Sequence, residues 1–129
     1  HPGKAAGDFT HYGDQTLALL RSVTLRGEFD AASWRADWSR FWSKNTTSYR
    51  DGATTSTLEH LAHGREVPSG SNDLAGAARI APVLAVLRRS PLEQRVKAAR
   101  DQTALTHGDA ATIDAAEFFT RVVDAIDHG

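Results

Sequence analysis

No cysteine occurs among the 129 residues, so a disulfide framework and a thiolate metal site are both excluded. The same absence fits a reducing compartment, and a cytoplasmic location is the expectation. No apolar run approaches the roughly 18 residues of a membrane span, and no secretory signal peptide is visible, so no membrane partner is expected. An excess of charge of one sign is also lacking. Fifteen Lys and Arg stand against sixteen Asp and Glu, for a net charge of −1, which gives no electrostatic reason to expect nucleic acid as a partner. The chain opens at His1-Pro2-Gly3 without Met, and is expected to begin inside a longer reading frame or after processing. Sustained period-two alternation, internal repeats and low-complexity tracts are absent as well, which removes the usual sequence signs of strands and arrays.

What remains is helical periodicity in a chain of one domain's size. A hydrophobic share of 40% is ordinary for a fold that buries roughly 65–70% of its unfolded surface. A first helix is predicted over about 14–26, with Leu17, Leu20, Val23 and Leu25 as its stripe and Gly27 as its stop. Asp30 caps a second, about 31–43, whose Trp34, Trp38, Phe41 and Trp42 fall on one face at i, i+4, i+7 and i+8. Asp51 caps a third, about 53–63, with Leu58 and Leu61 inward and Gly64 at C′. A fourth stretch, about 73–88, is expected to break or kink at Pro82. The segment Ser90-Pro91-Leu92-Glu93 reads as a capping box with proline at N1 and opens a fifth helix to about 105. Asp109 caps a sixth, about 110–127, with Ile113, Ala116, Val123 and Ile126 inward. The expected fold is all-α, an orthogonal bundle of about six short helices in a single domain over 1–129.

Several places carry groups that can do chemistry, and each has a plainer reading beside it. Thr10-His11-Tyr12-Gly13-Asp14-Gln15-Thr16 puts a carboxylate and a hydroxyl at a helix mouth, where oxygen ligands could converge on Mg²⁺; from spacing alone the plainer reading of Asp14 is a simple N-cap. Ser69-Gly70-Ser71-Asn72-Asp73 is a small-residue loop whose amides could hold phosphate, or an ordinary connector. In Thr106-His107-Gly108-Asp109 the imidazole could contact a ligand, or the segment is a helix stop followed by a cap. His60 and His63 have metal-like spacing without a third ligand. The Trp stripe reads as core, and Arg88, Arg89, Arg95, Lys97 and Arg100 read as a solvated face.

In order along the chain, His1-Pro2-Gly3-Lys4, the stretch 6–17 around Asp14, Tyr49 with Asp51-Gly52-Ala53-Thr54, the run Ser71-Asn72-Asp73-Leu74-Ala75-Gly76-Ala77-Ala78-Arg79-Ile80-Ala81-Pro82, and Leu105-Thr106-His107 together resemble the ADP-ribosylglycohydrolase family, crystallin-like relatives included. The likeness covers essentially the whole chain, and the run 71–82 is its most specific part. It implies an all-α fold with a cleft for ADP-ribose, usually with two Mg²⁺ ions, that hydrolyses the glycosidic bond joining ADP-ribose to a protein side chain or related group.

Carried over residue by residue, the resemblance makes Asp14 catalytic and a metal ligand together with Thr16. It makes Tyr49, Gly52, Thr54, Asn72, Asp73 and His107 substrate contacts, and residues 77–87 buried support. Gln15 stands where the family has a second carboxylate, and Gly13 where it has a first threonine. The family's early Gly-Asp-Ala-like and late Gly-Gly-Asp motifs are not in this stretch. The chain is therefore read as truncated at both ends and weak or inactive alone. A non-catalytic ADP-ribose or nucleotide-binding module and a crystallin-like structural role are the alternatives. Apolar surface left bare by the missing ends is expected to drive self-association or to be covered by a complementing chain.

Overall fold

Aspartate caps set three of the helix starts. Asp30, Asp51 and Asp109 accept hydrogen bonds from the backbone N–H of Ser33, Thr54 and Thr112 at 2.8, 2.8 and 3.0 Å, each satisfying one of the donors a helix start leaves open. In the computed structural model, which describes residues 3–129, seven helices follow: α1 (His11–Arg26), α2 (Ala31–Lys44), α3 (Gly52–Ala62), α4 (Ala75–Ala78), α5 (Ala81–Val86), α6 (Leu92–Ala104) and α7 (Ala110–His128). His1 and Pro2, which head one of the matching stretches, lie outside the described residues. The fold is all-α. Among the described residues the only extended pairing is a parallel bridge between Ser69 and His107, and no helix is long and apolar enough to cross a membrane.

The core is built on α2. Trp34, Trp38 and Trp42 are all fully buried and pack with Leu19 and Val23 of α1, Val83 of α5, Ala98 of α6 and Leu105. Each indole removes roughly 200 Å² from water, about 5 kcal/mol of gross stabilisation at 25 cal/mol per Å². A second, smaller cluster joins α4, α5, α6 and α7 through Ala77, Ile80, Leu84, Ala99 and Ala116.

Four local features differ from the expectations, each for a physical reason, while the expected break at Pro82 is present. Helix α1 starts at His11, three residues early, because Gly13 makes room for the Phe9 side chain: a Cβ there would lie 3.0 Å from Phe9 Cβ. Asp14 is therefore not the cap but a first-turn residue whose N–H already bonds Thr10 O at 2.9 Å. The buried face of α1 is His11, Gln15, Leu19, Ser22 and Val23, which leaves Leu20 exposed and Leu25 82% exposed.

The stretch 73–88 is two helices. Pro82 would clash with the carbonyl of residue 78, and α4 ends at that residue; α5 then takes Pro82 into its first turn, where a missing N–H costs nothing. At α6, Pro91 is the N-cap with no side-chain cap bond, so the Ser90 box does not form. Arg95 leaves the basic face: it is buried, donating to Asp124 Oδ1 at 2.6 Å.

Helix α7, of 19 residues against 13 in α6, outruns its neighbour by about 9 Å at 1.5 Å per residue. Arg121 reaches Glu93 near the start of α6, and beyond that point Ile126 has nothing to cover it. It is 75% exposed, with Phe118, Val122 and Val123 exposed before it; the inward positions are Thr112, Ala116 and Thr120.

Candidate functional site

The break at Pro82 has a chemical consequence. It makes Arg79 the C-cap of α4 and turns its side chain into the bundle, where it is fully buried. The guanidinium meets only neutral acceptors. Nε donates to Gln102 Oε1, one terminal nitrogen to Gln15 Oε1 at 3.2 Å, and the other to Thr106 Oγ1 at 2.7 Å. Its Cζ lies 6.0 Å from the Trp34 ring centroid. Burial lowers its pKa to about 10 against the opposing pull of Asp51 and Asp73, so the group is a cation at neutral pH. Gln15, the residue on α1, is held in turn by Trp38 Nε1, which donates to its Oε1 at 2.8 Å.

From Thr106 the network continues to His107 and Asp73. Thr106 Oγ1 lies 2.7 Å from His107 Nδ1, and His107 Nε2 lies 3.0 Å from Asp73 Oδ1. Burial, and then the nearby Arg79 charge, push the His107 pKa below its ordinary 6.5, so the ring is neutral at pH 7. Burial alone would raise the Asp73 pKa. The Ser71 hydroxyl, the Ala75 N–H and His107 together outweigh it and hold the carboxyl ionised. An ionised Asp73 only accepts, so the proton of His107 sits on Nε2. Nδ1 then accepts from the Thr106 hydroxyl, whose oxygen is free to accept from Arg79. The order Arg79, Thr106, His107, Asp73 thus links a buried cation to a carboxylate that is 52% exposed.

Close packing fixes the histidine. A Cβ at Gly76 would lie 2.5 Å from His107 Nδ1, so only glycine fits there. On the other side the bridge ties the 69–71 loop down: Ser69 N–H donates to Thr106 O and Gly108 N–H to Ser69 O, both at 3.0 Å.

Above this network lies a cleft of about 450 Å³, lined by Tyr12, Gly13 and Thr16 of α1 and by Asp73, Leu74, Ala75, Ala78 and Arg79. A much smaller cavity beneath it touches Gln15, Asp51, Thr54, Thr106 and His107. Tyr12, Asp73, Ala75 and Arg79 border one or both: Tyr12, Ala75 and Arg79 line the two alike, and Asp73 lines the larger.

The residues singled out from sequence are distributed as follows. Asp73 and Thr16 line the cleft, and His107 and Thr54 border the small cavity. Asn72 is exposed and outside both. Gly52 opens α3 beside neither space, and Tyr49 is half-exposed with its ring edge-on to His11, centroids 5.0 Å apart. Asp14 lies on the other flank of α1, where the Lys4 ammonium holds it at 2.5 Å. His60 and His63 each place Nδ1 on a backbone carbonyl, of Val67 and Glu59, at 2.9 and 2.8 Å.

Sequence reasoning missed Arg79 as a functional group, along with Tyr12, Gln15 and Thr106. A signal for Arg79 was there: an arginine inside the apolar run Ala77-Ala78-Arg79-Ile80-Ala81 must be buried with partners or break the helix.

The residues aligned with a Mg²⁺ site do not fit the ion. Mg²⁺ needs near-octahedral oxygen ligands converging on one point. Asp14 and Thr16 are two apart within a regular helix, which separates them by about 200°, and residues at that spacing do not face each other. The Thr16 hydroxyl donates to Tyr12 O at 2.9 Å, and among the described residues no three of His, Cys, Asp and Glu converge as a metal would require.

No curated protein and no solved structure matches the chain. The family model for ADP-ribosylglycohydrolase matches residues 1–129, end to end. That match agrees with the all-helical architecture, and the chain belongs to the ADP-ribosylglycohydrolase family.

Proposed function

We propose that the cleft between α1 and the 73–79 segment binds the ADP-ribose part of an ADP-ribosylated protein, or of a related ADP-ribose compound, and serves hydrolysis of its glycosidic bond. The observation that carries this reading is the buried Arg79 guanidinium, which borders the cleft with only neutral partners while the ionised Asp73 stands on the same wall. A cation held this way favours an anionic ligand: at 4 Å and an effective dielectric of 20 the attraction is about 4 kcal/mol, and a guanidinium matches phosphate oxygens in shape. Asp73, an acceptor, suits ribose hydroxyls. Tyr12 and Leu74 offer exposed apolar walls to a base. A ligand that is anionic, hydroxyl-rich and aromatic in turn satisfies all three.

For hydrolysis, the developing oxocarbenium charge at the anomeric carbon is stabilised by a nearby carboxylate. Asp73 is the acidic side chain that lines the cleft, and His107 behind it fixes its orientation. One feature favours a second reading, binding without turnover. Glycoside hydrolysis ordinarily uses two carboxylates, and Asp14 is turned away and paired with Lys4.

Calorimetry with ADP-ribose, together with chromatography of ADP-ribose released from ADP-ribosylated arginine and serine peptides, tests both. Binding with release supports hydrolysis, and Asp73→Asn should then abolish release. Binding without release supports the binding module. Absence of both refutes the two readings and leaves a structural, crystallin-like role.

A further inference from the structure

We propose that the α1 entrance of this chain takes no divalent cation: the Lys4 ammonium occupies Asp14 in its place, Arg79 supplies the positive charge of the cleft, and a phosphorylated ligand binds without Mg²⁺. The first part stands on geometry alone. The clause about the ligand rests on the function proposed above.

Three observations carry it. Lys4 Nζ lies 2.5 Å from Asp14 Oδ2, with both side chains about four-fifths shielded at 20% and 19% exposure. A divalent ion on that carboxylate would have to displace the ammonium. Thr16, the other aligned ligand, faces the cleft on the far side of α1, so no single ion reaches both. Gln15, between them, accepts from Trp38 Nε1 at 2.8 Å and from Arg79 at 3.2 Å. Its oxygen is turned to donors, and one of these is a buried cation that would repel a second positive charge nearby. Each position of the Asp-Gln-Thr triplet is thus committed to an N–H or a carbonyl, and the positive charge a metal would bring is already supplied by two side chains of the protein.

The test uses the whole chain with Mn²⁺ as a paramagnetic probe and Mg²⁺ in calorimetry, followed by ADP-ribose titrations in Mg²⁺ and in EDTA. Free Mn²⁺ signal should persist undiminished to about 1 mM, the weak end of protein divalent sites. The dissociation constant for ADP-ribose should agree within about threefold between Mg²⁺ and EDTA, less than 1 kcal/mol. Asp14→Asn should likewise leave it within about threefold. Saturable Mn²⁺ or Mg²⁺ uptake that disappears in Asp14→Asn overturns the proposal, as does ADP-ribose binding that requires Mg²⁺. If ADP-ribose fails to bind in either buffer, the proposed function falls, while the Mn²⁺ arm still decides whether the entrance holds a cation.

Discussion

Replacing Gly76 with alanine adds one methyl group at the point where the cleft network is tightest. The new Cβ would stand 2.5 Å from His107 Nδ1 and 3.0 Å from its Cγ. The ring has nowhere to go: it is fully buried and held by Thr106 on one side and Asp73 on the other. Overpacking of this kind costs about 1–3 kcal/mol. Displacing the ring also loosens two hydrogen bonds, at about 1 kcal/mol each. Against this, alanine is favoured over glycine inside a helix by about 1 kcal/mol, and Gly76 lies within α4.

The net expectation is a loss of about 2–4 kcal/mol, or roughly 7–15 °C in Tm for a domain of this size. Urea and thermal denaturation of Gly76→Ala measure it. Pairing the change with His107→Ala, which removes the obstructing ring, should recover at least about 1 kcal/mol of coupling. A Gly76→Ala protein as stable as the parent, or a double variant whose losses simply add, would refute the packing argument.

Three further outcomes are expected. Stability should fall on acidification below pH 6.5. The folded His107 pKa lies below that value, so the unfolded chain binds the proton more tightly, and the stability this group contributes is present above pH 6.5 and lost as pH drops through the folded value. Asp73, also lowered, acts in the same direction below pH 3.8; melting curves against pH should be flatter between 7 and 5 in His107→Gln, and an equally steep profile in that variant contradicts the assignment. Arg79→Met leaves Gln102 and Thr106 short of a donor in a dry interior, at about 1–3 kcal/mol for each unsatisfied group, so urea titration should show a loss of at least about 2 kcal/mol; a neutral effect would mean that the guanidinium's desolvation cost cancels its bonds. Asp109→Ala removes a cap that accepts from both the backbone N–H and the hydroxyl of Thr112, at 3.0 and 3.1 Å, and should cost about 1 kcal/mol, read in the same assay.

How much of this was legible in the sequence depends on how local the cause is. The caps Asp30, Asp51 and Asp109 could be read because an N-cap is decided within four residues, and the Trp34, Trp38, Trp42 face because its spacing admits one helix and one inward side. Pro82 was legible for the same reason: its clash falls four residues back, at the end of α4.

The start of α1 was not. It depends on Phe9 lying against Gly13, and Asp14 looks like a cap in any reading that lacks that contact. The tail of α7 was misread because periodicity shows which residues share a face, not whether a neighbour is long enough to cover it. In the site, Asp73 and His107 could be picked out as loop residues at helix boundaries, and the structure brings the two together. The apolar run around Arg79 hinted at its burial, but its partners could not be read, since Gln15, Gln102 and Thr106 lie 64, 23 and 27 positions away.

Proton–nitrogen NMR of the labelled chain during an ADP-ribose titration tests the central claim most directly. The amides of Tyr12, Thr16, Asp73, Ala75, Arg79 and His107 should shift together and saturate at one dissociation constant, while Arg21, Phe41 and Lys44, in the groove between α1 and α2, stay in place. Shifts concentrated in that second groove, or none at saturating ligand, would contradict the account.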